Sequence, residues 1–323
     1  MRLKNVLGWI SVVALFAALV LGVKNFQSLY DWWQLRDYNP DARIVKLADE
    51  TTMNPSTRRV FYVNHPQLDD KQEFNKHCQS PEKTIVLGCF IDKQGIYLLN
   101  VTDSRLEGVD EVTAAHETLH AMYARLSKKE RARVDAMTES FFKGLDNERI
   151  RKTIESYRSR DPSVVPNELH SILGTEVRHL SPELEDYYRQ YFSDREKIVS
   201  YSEHYEQAFV DLEDKAKSYD QELSVLRQKI NTDEEALQAK SREIDDRQQE
   251  LNDMLAQGKT DEYNNTVPGY NRLVDEYNVM VNQAKQEINN YNELIVERNN
   301  LVIQQQQLYQ VIDSRSINEK SSK

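Results

Sequence analysis

Residues 112–123, VTAAHETLHAMY, carry the most informative pattern in this chain of 323 residues. Their apolar positions recur with the period of a helix and predict a helix over residues 109–126. His116 and His120 are four residues apart, so both imidazoles lie on one helical face and can bind the same Zn²⁺ ion. Glu117 can take a proton from a water that the metal acidifies. This H-E-x-x-H spacing predicts a catalytic zinc site.

A catalytic zinc ion normally has three protein ligands and one open position, so a third ligand has to come from elsewhere in the chain. Leu126 occupies the position at which a longer version of the motif would have a third histidine. The best segment is residues 167–176, NELHSILGTE, which also has a helical pattern. It offers Glu168 and Glu176 as alternative third ligands, and His170 as a second-shell residue that supports the ligands or the transition state.

The sequence around the motif predicts a compact domain over residues 41–199. β-branched and aromatic runs predict strands at residues 59–64, 84–91 and 96–101, and Asp-Lys-Gln-Gly at residues 92–95 predicts a hairpin turn. Helical patterns follow. Strands followed by helices are typical of an α+β domain, here mainly α, with a short and largely antiparallel sheet.

The two segments together resemble the gluzincin metallopeptidases, in particular their small members and the catalytic domain of lethal-factor-type toxins. In that group a second helix donates a glutamate, commonly followed three residues later by alanine or serine. Glu168 with Ser171 fits this pattern. Ile172 stands where thermolysin-like members have an aspartate, so Glu176 stays open as the alternative ligand. The resemblance implies a zincin-like fold and protein or peptide substrates.

The resemblance also implies that the strand before the active-site helix binds peptide substrate along the edge of the sheet. Residues 96–101 occupy that position, and Asn100 is the candidate contact; a plain core strand is the alternative. Stabilisation of the transition state needs a further hydrogen-bond donor near the metal. The candidates are Tyr157, His179, Tyr187, Tyr188 and Tyr191.

Residues 6–23, VLGWISVVALFAALVLGV, form an uncharged apolar run that is just long enough to cross a bilayer core. The run predicts a transmembrane anchor within residues 1–40, and a cleaved signal peptide is the alternative. Arg2 and Lys4 favour a cytoplasmic N-terminus. The expected protein is a single-pass membrane protein whose C-terminal part is extracytoplasmic.

The net charge bears on the binding partners of the chain, and the cysteines bear on its redox compartment. The formal net charge of -11 argues against nucleic acid, because phosphate binding needs a cationic surface. Cys78 and Cys89 are the two cysteines of the chain. They are a candidate disulfide for an oxidising compartment, and two unrelated reduced thiols are the alternative.

Residues 200–313 show apolar residues at every seventh position, which predicts a long antiparallel coiled-coil hairpin. The two series are Phe209, Ala216, Leu223, Ile230, Leu237, Ile244, Leu251 and Val267, Val274, Val281, Ile288, Ile295, Val302, Tyr309. The predicted turn is QGKTDEYNNTVPG at residues 257–269, which places Ile244 opposite Val281. Association with a protein partner or a second copy through the same residues is the alternative. Residues 314–323 are expected to fray.

These observations predict a membrane-anchored zinc metallopeptidase that hydrolyses proteins or peptides outside the cytoplasm. The alternative is a surface coiled-coil interaction or scaffold protein with a structural or inactive zinc domain. The intact Glu117 favours the enzyme, because a structural metal site needs no base.

Overall fold

The computed structural model describes residues 26–78 and 85–314. These residues are mainly helical with one small sheet, which confirms the predicted fold class in its coarse form. They form two compact units. The first comprises the described residues up to Ala208 and from Tyr309 onward, and the second is Phe209–Leu308.

The first unit contains the short elements of the chain, and two long helices follow them. The helices are α1 (Phe26–Leu35), α2 (Ala42–Glu50), α3 (Pro55–Val63), α4 (Lys71–His77), α5 (Val109–Ala124), α6 (Lys128–Gly144), α7 (Glu148–Arg160), α8 (Val165–Glu176), α9 (Pro182–Tyr188), α10 (Arg195–Ala256) and α11 (Thr260–Ile312). The strands are β1 (Gln67–Asp69), β2 (Gly88–Ile91) and β3 (Gly95–Leu99).

The sheet has the order β1-β3-β2. β2 and β3 are antiparallel and are joined by the turn predicted at residues 92–95, in which Lys93 has a φ of 63°. β1 is parallel to β3, so the prediction of a largely antiparallel sheet is wrong. β1 has only three residues, QLD, and this short polar run gives no strand signal in the sequence.

Residues 59–64, predicted as a strand, lie mostly within α3. Pro55 is at the start of this helix, where its missing N–H costs nothing. Thr57, Val60 and Phe61 are buried, and their spacing of three and four residues places them on one helical face. The helical spacing of the buried residues across Pro55–Val63 therefore outweighs the strand propensity of the aromatic and β-branched residues at its end.

α5 lies at the centre of the first unit, in contact with α8, the sheet and α3. Its small residues Ala114 and Ala115 are fully buried, as is Leu119, so neighbouring elements can approach it closely. Cys78 and Cys89 form a disulfide that connects the end of α4 to β2.

The N-terminal helix α1 is attached to the end of α5. The buried carboxylate of Asp31 accepts hydrogen bonds from both terminal nitrogens of Arg125, at 2.9 and 3.0 Å. Arg125 is the C-cap residue of α5. Bidentate pairs of this kind are among the stronger polar contacts in proteins.

The prediction of a single-pass membrane protein is contradicted. Among the described residues, no helix combines the length and the apolar character that a membrane crossing requires. The proposed anchor, residues 6–23, lies outside the described residues. Residues 315–323 of the predicted tail also lie outside them, whereas Ser314 is buried and its carbonyl accepts a hydrogen bond from Asn75.

The second unit is a helical hairpin with a tighter turn than the sequence predicts. α10 ends at Ala256 and α11 begins at Thr260. Gly258 has a φ of 68°, the left-handed conformation in which glycine commonly ends a helix. The Lys259 N–H bonds to the carbonyl of Met254, which completes a Schellman cap.

This turn shifts the residue that faces Lys240 by nine positions from the predicted register. With Ile244 opposite Val281, Lys240 would lie opposite Lys285. Instead Lys240 pairs with Glu276 at 2.8 Å. The asparagines and Pro268 that suggested a wide turn lie inside α11. Ile288, predicted for the seam, is 43% exposed.

Candidate metal centre

The first two predicted ligands lie in the middle of α5. This helix begins after Gly108, whose φ of 100° suits glycine, and it has Asp110 and Glu111 in its first turn. His116 and His120 project from the same face, with their ring centroids 4.7 Å apart. The helical spacing therefore places two imidazoles side by side, as the sequence predicted.

The third residue comes from α8, which packs closely against α5. A Cβ at Gly174 would lie 2.5 Å from Cδ1 of Leu119 and 2.8 Å from Cε1 of Tyr188, so only glycine allows this approach. Pro166 lies in the first turn of α8 and Glu168 follows it. The close contact of the two helices brings the Glu168 carboxylate to the histidine face of α5.

Glu168 lies within reach of both histidines. Its Oε2 is 3.7 Å from Nε2 of His116 and its Oε1 is 3.6 Å from Nε2 of His120. One ligand atom from each of the three residues can be chosen so that all lie within 4.8 Å of one another. A tetrahedral ion with bonds of about 2.0–2.2 Å separates its ligand atoms by roughly 3.3–3.6 Å. The His-His-Glu group therefore fits a divalent metal ion with small movements of the side chains.

A hydrogen bond to Ser171 fixes the orientation of the His120 ring. Its Nδ1 lies 3.1 Å from Oγ of the fully buried Ser171, which leaves Nε2 facing Glu168. Thr175 in turn donates a hydrogen bond to the Ser171 carbonyl at 2.9 Å. A histidine that donates from one ring nitrogen presents the lone pair of the other to a metal. Ser171 thus contributes an oriented contact as well as a small side chain between the helices.

The charges at the site favour a cation. Burial lowers the pKa of His116, but its hydrogen bond to Glu168 and the charges of Glu117 and Glu168 outweigh burial and raise that pKa to about 9. Burial raises the pKa of Glu168, but His116 and His120 outweigh it and lower the pKa below its usual range. The carboxylate is therefore ionised at neutral pH, and a metal ion would compete with the proton on His116.

Glu117 lies between the metal-ligand group and the edge strand β2. It is 5% exposed, and this burial raises the pKa of its carboxyl group. Its carboxylate accepts a hydrogen bond from the Phe90 N–H. A Cβ at Gly88 would lie 2.8 Å from Cγ and 2.9 Å from Oε1 of Glu117, so the glycine makes room for this side chain.

These groups line a cavity of about 660 Å³. One wall is β2 with Gly88, Cys89 and Phe90, and the opposite wall includes Tyr157 of α7 and Asn167 at the start of α8. Tyr157 also donates a hydrogen bond to Glu168. The cavity is large enough to hold a few residues of an extended chain beside Glu117.

Two of the candidate site residues lie outside the His-His-Glu group. Glu176, the alternative third ligand, instead pairs with Arg149 at 2.9 Å. His170 is fully buried, and its Nε2 lies 2.9 Å from Oη of Tyr187. Burial and the charges of the two motif histidines lower the pKa of His170 to about 3, so its ring is neutral and belongs to the core.

The predicted substrate strand has to be corrected. β3 lies between β1 and β2, so it has no free edge, and the Asn100 N–H bonds to the carbonyl of Asp69. The strand at the edge beside Glu117 is β2. The sequence did not predict that β2 is the edge strand, because the strand order depends on β1, whose three residues have no recognisable strand pattern.

Of the five candidates for transition-state stabilisation, Tyr157 lines the cavity and His179 is not among its lining residues. Tyr187, Tyr188 and Tyr191 surround His170 in the core. Sequence reasoning did not single out Gly88 or Arg131, which also contribute to the cavity. Only the three-dimensional packing places these two residues at the cavity, because neither lies within a sequence motif.

The fold and the geometry thus define a mainly helical protein with a His-His-Glu group that could bind a metal ion. Comparisons with known protein families, with curated proteins and with solved structures give no match for this chain.

Proposed function

We propose that this protein is a zinc-dependent peptidase with a gluzincin-type site and a zincin-like catalytic domain. The observation that carries the proposal is the approach of Glu168 to both histidines of the motif, at 3.6 and 3.7 Å, with Glu117 buried beside them. Two imidazoles and one carboxylate form a donor set typical of catalytic zinc. A bound zinc ion would supply Lewis acidity and lower the pKa of water.

Glu117 is the general base and then the general acid in this proposal. Burial raises the pKa of its carboxyl group, which is the direction that favours proton transfer by a glutamate. It would take a proton from the attacking water and return it to the amine that leaves. Tyr157, at the cavity wall, would turn its hydroxyl from Glu168 and donate its hydrogen bond to the oxyanion that develops on the substrate.

β2 supports peptides as the substrate class. The Leu99 N–H bonds to the Leu87 carbonyl, so in this antiparallel pair the backbone groups of Gly88 and Phe90 face away from β3. Those two residues line the cavity. The Phe90 N–H bonds to Glu117, so an extended peptide could pair with the outer edge of β2 through the backbone of Gly88 and the Phe90 carbonyl, which would hold its scissile bond near Glu117.

The test combines metal analysis with cleavage by the full chain. Wild type, Glu117→Gln and the control Glu111→Gln, on the same helix, are loaded with zinc and dialysed. A mixture of unstructured peptides is then incubated with each protein and analysed by mass spectrometry. We expect about one zinc per chain in all three. Cleavage should fall by at least about 10²-fold in Glu117→Gln only.

Undiminished cleavage by Glu117→Gln would contradict the role of this residue, and metal-free wild type would contradict the site. Stoichiometric zinc in wild type without cleavage of any peptide would instead support the interaction or scaffold protein with a structural metal site.

A further inference from the structure

Arg131 is the only lysine or arginine among the described residues that line the cavity. It lies in the first two turns of α6. Its guanidinium carbon lies 4.8 Å from the centroid of the Tyr123 ring, a cation–π contact that fixes the position of the side chain. The cavity therefore contains a positioned positive charge in addition to the metal-binding group.

The guanidinium is only partly satisfied by the protein. Nη2 donates to the carbonyls of Tyr123 and Ala124, at 3.2 and 3.3 Å, and among the described residues no other nitrogen of this group has a hydrogen-bond acceptor. Its Nε is buried without a partner there. Within the described part of the chain, no carboxylate forms an ion pair with Arg131. The nearby Asp135 instead accepts a hydrogen bond from the Tyr123 hydroxyl at 2.7 Å.

The other charged groups of the cavity already have partners. Glu117 accepts from the Phe90 N–H, and Glu168 faces His116 and His120. The positive charge of Arg131 is thus left for a group that enters from outside. A planar guanidinium binds a carboxylate through charge-assisted hydrogen bonds, and Nη1 of Arg131 has no acceptor among the described residues.

We propose that Arg131 selects peptides that place a carboxylate in the cavity, either an aspartate or glutamate side chain or the C-terminal carboxylate. This inference rests on the proposed peptidase function and specifies its substrate class. Arg131 acts in binding, and no proton transfer is assigned to it.

The test measures binding in the full-length, zinc-loaded Glu117→Gln background, which keeps the cavity and removes cleavage. Four degenerate decapeptide pools are passed over the immobilised protein, with or without Asp and Glu and with a free or an amidated C-terminus. Retained peptides are quantified by mass spectrometry. Arg131→Gln and Arg131→Lys are compared with Arg133→Gln, which removes an exposed charge from the same helix outside the cavity lining.

We expect the carboxylate-bearing pools to be retained at least about tenfold better than the neutral amidated pool. Arg131→Gln should abolish this preference, Arg131→Lys should keep part of it, and Arg133→Gln should leave it unchanged. Loss of retention on amidation assigns the C-terminal carboxylate, and loss on removal of Asp and Glu assigns an acidic side chain.

Equal retention of all four pools, or no retention of the carboxylate pools, would overturn the inference. A purely structural role for Arg131 would lower the retention of every pool by the same factor and would also overturn it. Cleavage by wild type separates the two proposals. Selective retention without cleavage contradicts the peptidase only, and cleavage without preference for carboxylates contradicts the role of Arg131 only.

Discussion

The unit around α5 and the helical hairpin are stabilised by different kinds of contact. In the first unit, buried polar groups form specific contacts with one another: His120 faces Ser171, and the Tyr188 hydroxyl donates to the His170 carbonyl at 2.7 Å. In the hairpin, polar pairs such as Tyr219 with Glu297 lie on the surface. The buried residues of the second unit are Leu251, Ala284, Leu301 and Leu308.

This difference in contacts predicts how strongly a substitution should affect each of the two regions. A buried polar contact has one workable geometry, so its loss leaves an unsatisfied group and has a large effect. A narrow apolar seam with exposed ion pairs distributes its stability over many weak contacts. We therefore expect sharp, local consequences in the first unit and small ones in the hairpin.

The largest effect of a substitution is expected at the His-His-Glu group, which has no counterpart in the hairpin. Glu168→Ala should lower zinc affinity by more than about 100-fold, since loss of even an outer partner of a ligand costs about 10–100-fold. Glu176→Ala is the matched control and should keep the metal, because its carboxylate pairs with Arg149. Competition with a chromophoric chelator measures both. Loss of zinc in Glu176→Ala alone would reverse the assignment.

Adding one methyl group to a glycine should have opposite effects in the two regions. In Gly174→Ala the new Cβ would meet Leu119 at 2.5 Å, so we expect a loss of about 1–3 kcal/mol in the free energy of unfolding. In Gly269→Ala of the hairpin the nearest atom is 3.9 Å away. Alanine is the better helix former, so a gain of about 0.5–1 kcal/mol is expected.

Urea unfolding followed by circular dichroism measures both glycine variants. A Gly174→Ala protein as stable as wild type would show that α5 and α8 are less closely packed than described.

The stability of the first unit should depend on pH through Asp110. Burial raises the pKa of this carboxyl group to about 7, although a hydrogen bond from the Val101 N–H opposes the shift. The folded state therefore binds a proton more tightly than the unfolded state. The contribution of Asp110 to stability is complete below about pH 4 and is lost as the pH rises through about 7.

Asp110→Asn removes this titration and keeps an acceptor for the Val101 N–H. At pH 8 the variant should be more stable than wild type by on the order of 1–2 kcal/mol, and the difference should shrink toward pH 4. Urea titrations across this range are the measurement. Parallel stability curves for the two proteins would exclude the effect.

The smallest effect is expected for the exposed pair Lys240–Glu276 in the hairpin. Lys240→Glu or Glu276→Lys should shift Tm by no more than about 2 °C, and the double exchange should restore it. In the register predicted from the heptads, Lys240 would face Lys285 and the double exchange would give no recovery. Thermal unfolding at low and high salt therefore checks the pairing of the helices.

The parts of the site that could be predicted from sequence are those fixed by local spacing. His116 and His120 lie together because a helix turns every 3.6 residues. Glu168 was identified as one of two alternatives within a ten-residue segment. Nothing in the sequence relates Gly88 or Arg131 to this motif, because each reaches the cavity through the packing of a separate element.

The wrong predictions about the fold also arise where tertiary packing or one residue outweighs a local pattern. Val60 and Phe61 have strand propensity, but burial on one face of α3 decides their conformation. The turn of the hairpin was placed around the asparagines and Pro268, whereas the left-handed Gly258 ends α10. One glycine in the C-cap position is a stronger stop signal than a longer polar segment, and here it determines the register of a hundred residues.

The return of the chain to the first unit has a consequence for the order of synthesis. Lys71 of α4 donates hydrogen bonds to the carbonyls of Gln310 and Asp313, and Asn75 donates to that of Ser314. A ribosome releases residues 71–75 long before it makes residues 310–314. Lys71 and Asn75 of α4 therefore lack these partners until the whole hairpin has been translated. The hairpin is in this sense an insertion within a domain, and the domain is completed last.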